Sequence, residues 1–263
     1  MQTNTAHQVG SLARFSAMAL ASVIALGASS QAYATSSLSW QTPSNNKTLT
    51  ETLKFGSLAA KSTSLGAMGV TDGVDNFWVY CLDPLTTAAL TATYNTTSLS
   101  NFITGGGYTA LYTNTTYKTA VSYGVQNTAT VLSKLQDLYS HAYADSLSNS
   151  TKSAAFQYAV WEIEGDTGYS STAGGLKYTS ADSGFVTQVN AYLAALNSGN
   201  WTSVNGSNLG STSAYTYTVY TPTGASQTFL RVTAGKTPEP GSLALAGLAL
   251  FGVVYTRRKG SKA

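Results

Sequence analysis

Once the first 34 residues are set aside as an export signal, the chain holds one cysteine, Cys81, and one histidine, His141. That scarcity narrows its chemistry. A zinc site needs three or four converging Cys, His or carboxylate ligands, and no such spacing exists, so neither a metal nor any other cofactor is expected. A single cysteine also forbids an internal disulfide. His141 with Asp145 one turn later suggests part of a Ser-His-Asp triad, but there is no Gly-x-Ser-x-Gly elbow, and a helix-surface pair is the plainer reading. Glu162 and Glu164 invite a glycosidase reading, yet two glutamates two apart on a helix point to different faces. No acid, base and nucleophile set emerges, so a turnover enzyme is not expected. The cysteine itself needs an account, because a free thiol outside the cell is prone to oxidation. It is an inert buried thiol, a dimerising thiol, or a thiol consumed by a bond to a residue other than cysteine. Its apolar setting between Tyr80 and Leu82 argues against an exposed dimerising thiol.

Tyr80-Cys81-Leu82-Asp83 and, 76 residues later, Phe156-Gln157-Tyr158-Ala159-Val160-Trp161 resemble the two signature motifs of the bacterial Cys-Gln thioester domain, also called the TQxA domain. The match rests on Tyr80, Cys81, Asp83, Gln157, Ala159 and Trp161. It departs at Phe156, where Thr often precedes the glutamine. The resemblance extends more weakly from about Asn76 to Val232. It implies a domain with a β-sandwich or barrel-like part and an inserted helical part, with a Cys81-Gln157 thioester where they meet and Tyr80, Asp83, Ala159 and Trp161 in support. In such a link the Cys81 thiolate attacks the Gln157 carbonyl, ammonia leaves, and the acyl-thioester stores reactivity for a later nucleophile. Amides are poor electrophiles, so the groups must be held in near-attack geometry, where effective molarities reach roughly 10⁵ M or more. Phe156, Val160 and Trp161 are expected to pin the helix, and Trp78, Tyr80 and Tyr158 to exclude water. Asp83 either orients the backbone or takes part in proton transfer. The plain alternative is a core cysteine and a surface glutamine.

The elements that would position these groups follow from patterning. Val74 to Leu82, rich in aromatic and β-branched residues and stopped by Asp83-Pro84, reads as a buried strand. The stretch before it, Thr35 to Asp75, reads as strands and turns. Residues 91–117 are polar and Tyr-rich around Gly105-Gly106-Gly107, and read as irregular structure or edge strands. Val131, Leu135, Leu138, Tyr139 and Ala142 predict an amphipathic helix from about Thr128 to Leu147. A second helix, capped by Ser150 or Thr151 and ended by Gly165, carries an apolar stripe of Ala155, Phe156, Ala159, Val160 and Ile163. A third runs from Ser183 to Leu196, with Gly199 just beyond it. Ala214 to Tyr220 and Gln227 to Val232 alternate as a hairpin around Thr221-Pro222-Thr223-Gly224. The fold class is α+β with about three helices.

The two ends set the compartment. Arg14, an apolar run from Phe15 to Leu26 and Ala32-Tyr33-Ala34 have the layout of a signal helix, residues 1–34, cleaved after Ala34. At the other end Pro238-Glu239-Pro240, an apolar stretch from Leu243 to Tyr255 and Arg257-Arg258-Lys259 resemble the PEP-CTERM sorting signal, residues 238–263. The basic cluster keeps the cytoplasmic side of its transmembrane helix. The resemblance implies recognition by an exosortase, in Gram-negative bacteria that make exopolysaccharide, and delivery to the cell surface or matrix after transient anchoring in the inner membrane. The remaining domain, residues 35–237, holds nine Lys/Arg against ten Asp/Glu, a net charge of −1, which disfavours a nucleic-acid partner. Charged residues are only 10% of the chain, so Ser, Thr, Asn and Tyr keep it soluble. Two functions fit. One is a single-use covalent adhesin whose thioester is opened by an amine or hydroxyl of a surface target. The other is a non-covalent exopolysaccharide-associated structural or binding protein using Tyr, Trp, Asn and Thr side chains.

Overall fold

The structure, a computed structural model, describes residues 34–235 except 43, 90, 91 and 212–214; the expected signal helix and sorting segment lie outside them. In chain order the elements are β1 (Ala34–Ser37), β2 (Ser39–Trp40), β3 (Lys47–Phe55), β4 (Lys61–Thr71), β5 (Asn76–Cys81), β6 (Thr93–Ser98), α1 (Leu99–Thr104), α2 (Gly107–Tyr112), α3 (Thr115–Lys118), α4 (Thr128–Ser146), α5 (Ser150–Gly165), β7 (Leu176–Ser180), α6 (Ser183–Ser198), β8 (Tyr215–Pro222) and β9 (Phe229–Ala234). This is α+β. The strands pair antiparallel along the path β1-β6-β8-β9-β5-β4-β3-β7, with β2 beside β4.

Two strands change partners along their length. β4 pairs with β3 from Lys61 to Ala67 and with β5 from Met68 to Thr71. β5 pairs with β4 through Asn76 to Val79 and with β9 only through Tyr80 and Cys81. Cys81 therefore stands at the handover, where β5 has left one neighbour and just met the next.

Residues 91–117 differ from expectation. Only Thr93–Ser98 is a strand; three short helices follow, making six helices among the described residues. Two of the three carry side-chain caps: Ser98 accepts from Asn101 N, and Asn114 from Thr116 N and Tyr117 N. Glycine and tyrosine content hid them, because both residues are poor helix formers and tertiary packing overrides propensity. Their tyrosines, Tyr108, Tyr112 and Tyr117, are buried.

The long helices fall where the periodicity predicts, and the expected faces of α4 and α6 are buried. Gly199 takes the left-handed conformation at the end of α6, φ 69°, which glycine adopts without steric cost. α5 is capped by Asn149, whose side chain accepts from Lys152 N, rather than by Ser150 or Thr151. It also departs from an amphipathic stripe, since every residue from Ser153 to Gly165 is buried. A helix buried on all sides belongs in a core, and α5 packs against α4 and α6 as well as β3 and β4. Small residues on β4 permit this approach. At Gly66, φ 128°, a Cβ would lie 2.1 Å from Lys47 O and 3.2 Å from Ser153 Oγ, and the Ser153 hydroxyl accepts from Ala67 N at 2.8 Å.

Candidate functional site

Cys81 ends β5 with its side chain buried. In an antiparallel ladder a residue's N–H and C=O point to the same side, and those of Cys81 face α5, where no strand continues the sheet. Gln157 fills that gap. Its Oε1 accepts from Cys81 N at 2.8 Å, and its Nε2 donates to Cys81 O at 2.8 Å. The Trp161 indole Nε1, one turn along α5, donates to the same carbonyl at 2.9 Å. The pair thus imitates a neighbouring strand, satisfying two buried backbone groups that would otherwise be costly. The motif residues of α5 and β5 do meet, but they meet through the Cys81 backbone.

The sulfur faces a different glutamine. The Cys81 thiol donates to Gln227 Oε1 across 2.9 Å, and Gln227 Nε2 donates to Asp83 O at 2.9 Å. This carboxamide is held on both ends, its carbonyl against the thiol. The loop that carries it is fixed on each side: Leu82 N donates to Thr228 O at 2.9 Å, and the Ser226 hydroxyl accepts from Ala89 N at 3.0 Å while sharing a 2.8 Å hydrogen bond with Tyr94. The expected thiol partner was Gln157; the side chain brought onto the sulfur is Gln227, 146 residues along the chain. The sequence hint was weak. Gln227 appeared only as the first residue of a closing strand, whereas β9 begins at Phe229 and leaves the glutamine in the connection.

The supporting residues take distinct places. Tyr80 is anchored by its hydroxyl, 2.7 Å from Ser146 Oγ and 3.0 Å from Ser153 Oγ, and its ring lies 4.6 Å from that of Phe156. Tyr117 donates to Asp83 Oδ1 at 2.6 Å; with its carbonyl on Gln227, Asp83 orients this turn by both ends. Ala159 is fully buried. The expected aromatic cover is redistributed: Trp161 and Trp40 line the opening to the sulfur, while Tyr158 donates away from it to Leu176 O at 3.0 Å, and Trp78 carries Lys47 Nζ at 5.5 Å over its ring.

Burial pushes the Cys81 thiol well above its ordinary value, and the nearby carboxyls of Asp83 and Glu164 push the same way. The thiol is therefore protonated at neutral pH and acts as donor to the carboxamide. Burial also raises Glu162 to about 9, with Asp166 adding to the effect, and raises Glu164 strongly. Both glutamates are buried rather than splayed to solvent. His141 and Asp145 are not paired: His141 Nδ1 lies 3.2 Å from Asp137, and Asp145 holds Lys152 at 2.6 Å and Tyr192 at 2.8 Å. Among the described residues no His, Cys, Asp and Glu group converges to hold a metal, and no helix is long and apolar enough to cross a membrane.

A groove of about 310 Å³ opens onto Cys81, Gln227 and Trp161. Cys81 and Gln227 are nearly buried, 6% and 8% exposed, yet both line this groove.

Residues 236–259 match the model of the PEP-CTERM protein-sorting motif. No curated protein matches the chain. Three solved structures are similar to it at low identity. The N-terminal thioester domain of fibronectin-binding protein SfbI from Streptococcus pyogenes has TM-score 0.40 and 14% identity, covering 66% of this chain and 87% of that one. A cysteine-to-alanine mutant of the N-terminal thioester domain of a Clostridium perfringens surface protein has TM-score 0.39 and 16% identity, covering 64% and 89%. A further N-terminal thioester domain of a surface protein from Clostridium perfringens has TM-score 0.35 and 14% identity, covering 70% and 98%. The chain thus carries a PEP-CTERM sorting motif at its C-terminus, and its structural neighbours are N-terminal thioester domains of bacterial surface proteins.

Proposed function

We propose that this is an exported surface or matrix protein that attaches covalently to its target through an internal thioester between Cys81 and Gln227. One observation carries the reading: the only thiol among the described residues donates to the Gln227 carbonyl at 2.9 Å inside a nearly dry site. The Cys81 sulfur bonds to the Gln227 side-chain carbonyl carbon, the carbon–nitrogen bond breaks, and the thiol proton departs with the amide nitrogen as ammonia. Held geometry replaces a strong nucleophile, and burial protects the product from water. An amine or hydroxyl of the target then takes the acyl group, leaving the target on Gln227 and the thiol free. Each molecule acts once.

The PEP-CTERM match supports sorting by an exosortase, with the C-terminal segment as a transient inner-membrane anchor, release near Pro238-Glu239-Pro240 and Arg257 and Arg258 on the cytoplasmic side. The signal segment 1–34, the domain 35–237 and the sorting segment 238–263 are the corresponding division of the chain.

Gln157, in this reading, is a positioning residue. Intact mass spectrometry separates the two glutamines. The exported protein should be one ammonia lighter than its processed sequence and should gain one methylamine on incubation. Gln227→Ala should restore the ammonia and abolish the uptake, whereas folded Gln157→Ala should still lose ammonia. The reverse pattern would return the link to Gln157, and a freely alkylated Cys81 at full sequence mass would remove the thioester altogether.

A further inference from the structure

The groove that leads to Cys81 and Gln227 has a distinctive wall. Its hydroxyls come from Thr48, Ser62, Thr63, Ser64, Thr86 and Thr87, and Trp40, 42% exposed, stands among them. Among the described residues the one charged side chain lining it is Lys61, itself exposed, and no carboxylate does so. A protonated amine entering the groove passes a like charge and no carboxylate on its wall, the carboxyls of Asp83 and Glu164 lying beyond the lining. A sugar meets an aromatic face for its C–H surface and a dense set of hydroxyls for its own.

We infer that the acceptor of the Gln227 acyl group is a carbohydrate hydroxyl, captured as an ester, rather than the side-chain amine of a protein lysine. This rests on the thioester reading above. In the transfer the sugar oxygen bonds to the Gln227 carbonyl carbon, the carbon–sulfur bond breaks, and the hydroxyl proton passes to the departing sulfur, so the products are a sugar ester and the Cys81 thiol. No separate base is required, because the sulfur leaves into surroundings that strongly favour its protonated form. Trp40 and Lys61 are specificity residues: Trp40 offers the stacking face and Lys61 turns away cations.

The test uses the full chain, purified in detergent, with intact mass as readout. Ammonia loss and addition of hydroxylamine, a nucleophile uncharged at neutral pH, first establish the thioester. Equal concentrations of maltoheptaose and Nα-acetyl-lysine then compete. The expected product is the oligosaccharide adduct, labile to mild alkali as an ester is. Lys61→Glu should shift the ester-to-amide ratio toward lysine by about two- to fivefold, the scale of one exposed ion pair. Trp40→Ala should lower the ester yield relative to the hydroxylamine adduct. If a protein that loses ammonia and adds hydroxylamine takes lysine in preference to the sugar, or if Lys61→Glu leaves the ratio unmoved, the carbohydrate assignment is overturned while the thioester stands. Full sequence mass with no hydroxylamine adduct overturns both.

Discussion

Two glutamines meet Cys81, one at its backbone and the other at its sulfur. Gln157 comes from α5, a helix buried on every side, is 1% exposed, and spends both ends of its carboxamide on the Cys81 backbone. Gln227 comes from the connection before β9, lines the groove, and places its carbonyl on the sulfur. Both carboxamides are hydrogen-bonded at each end, but only Gln227 has its carbonyl on the sulfur and lines the groove. A helix in the core is a good place for a brace, since its backbone cannot move without disturbing α4, α6 and the sheet. A connection at the edge of the core suits the role proposed for Gln227, that of a group exchanging ammonia for a sulfur. Chemical type alone does not separate them, because both are buried carboxamides near one cysteine. Their partners do.

The comparison is broken most forcefully at the sulfur. Cys81→Ala, like Gln227→Ala, should abolish ammonia loss and covalent capture completely while leaving the domain folded, as followed by intact mass and circular dichroism. Removing the brace acts on stability instead. Gln157→Ala leaves Cys81 N buried without its acceptor and opens a cavity, so it should cost about 2–4 kcal/mol and lower Tm by roughly 5–15 °C, with residual folded protein still able to close the thioester. A complete loss of ammonia release in correctly folded Gln157→Ala would contradict the division of labour. Trp161→Phe is milder. Cys81 O keeps Gln157 Nε2 as donor, so the expected cost is about 1 kcal/mol, seen as a shift of about 2–4 °C in thermal unfolding.

A pH-dependent effect lies beside the site, at the far end of α5. Glu162 is raised to about 9 in the folded protein, and its Oε2 is buried with no hydrogen-bond partner among the described residues. Between the ordinary carboxylate value and about 9 the unfolded chain has released the proton that the folded chain keeps, so stability falls as pH rises across that window. Glu162→Gln removes the titration. Its Tm should exceed that of the native chain at pH 8 and converge with it near pH 4, and a native chain whose Tm is flat between those values would refute the buried acid.

Much of this was legible in the residues. Spacings of three and four drew α4 and α6, a compact aromatic run drew β5, and the Tyr80-Cys81 and Gln157 to Trp161 motifs led to elements that do pack together. What failed shares a cause. The helices from Leu99 to Lys118 are too short for a periodic signal, and their buried tyrosines resemble the polar surface residues of a loop until neighbours cover them. The motif marks Gln157 as a residue that matters without marking which Cys81 atoms it meets, and those are the backbone N–H and C=O.

The sequence by itself determined that one thiol remains after export, that it ends an apolar strand, that a glutamine helix accompanies it, and that a sorting motif closes the chain. Only the tertiary structure decided which carboxamide meets the sulfur. Local pattern reports the burial of a side chain, through periods of two and 3.6, but says nothing of its partner across 146 residues. That pairing depends on β5 leaving β4 for β9 at Tyr80, which turns the Cys81 backbone toward α5 and its sulfur toward Gln227.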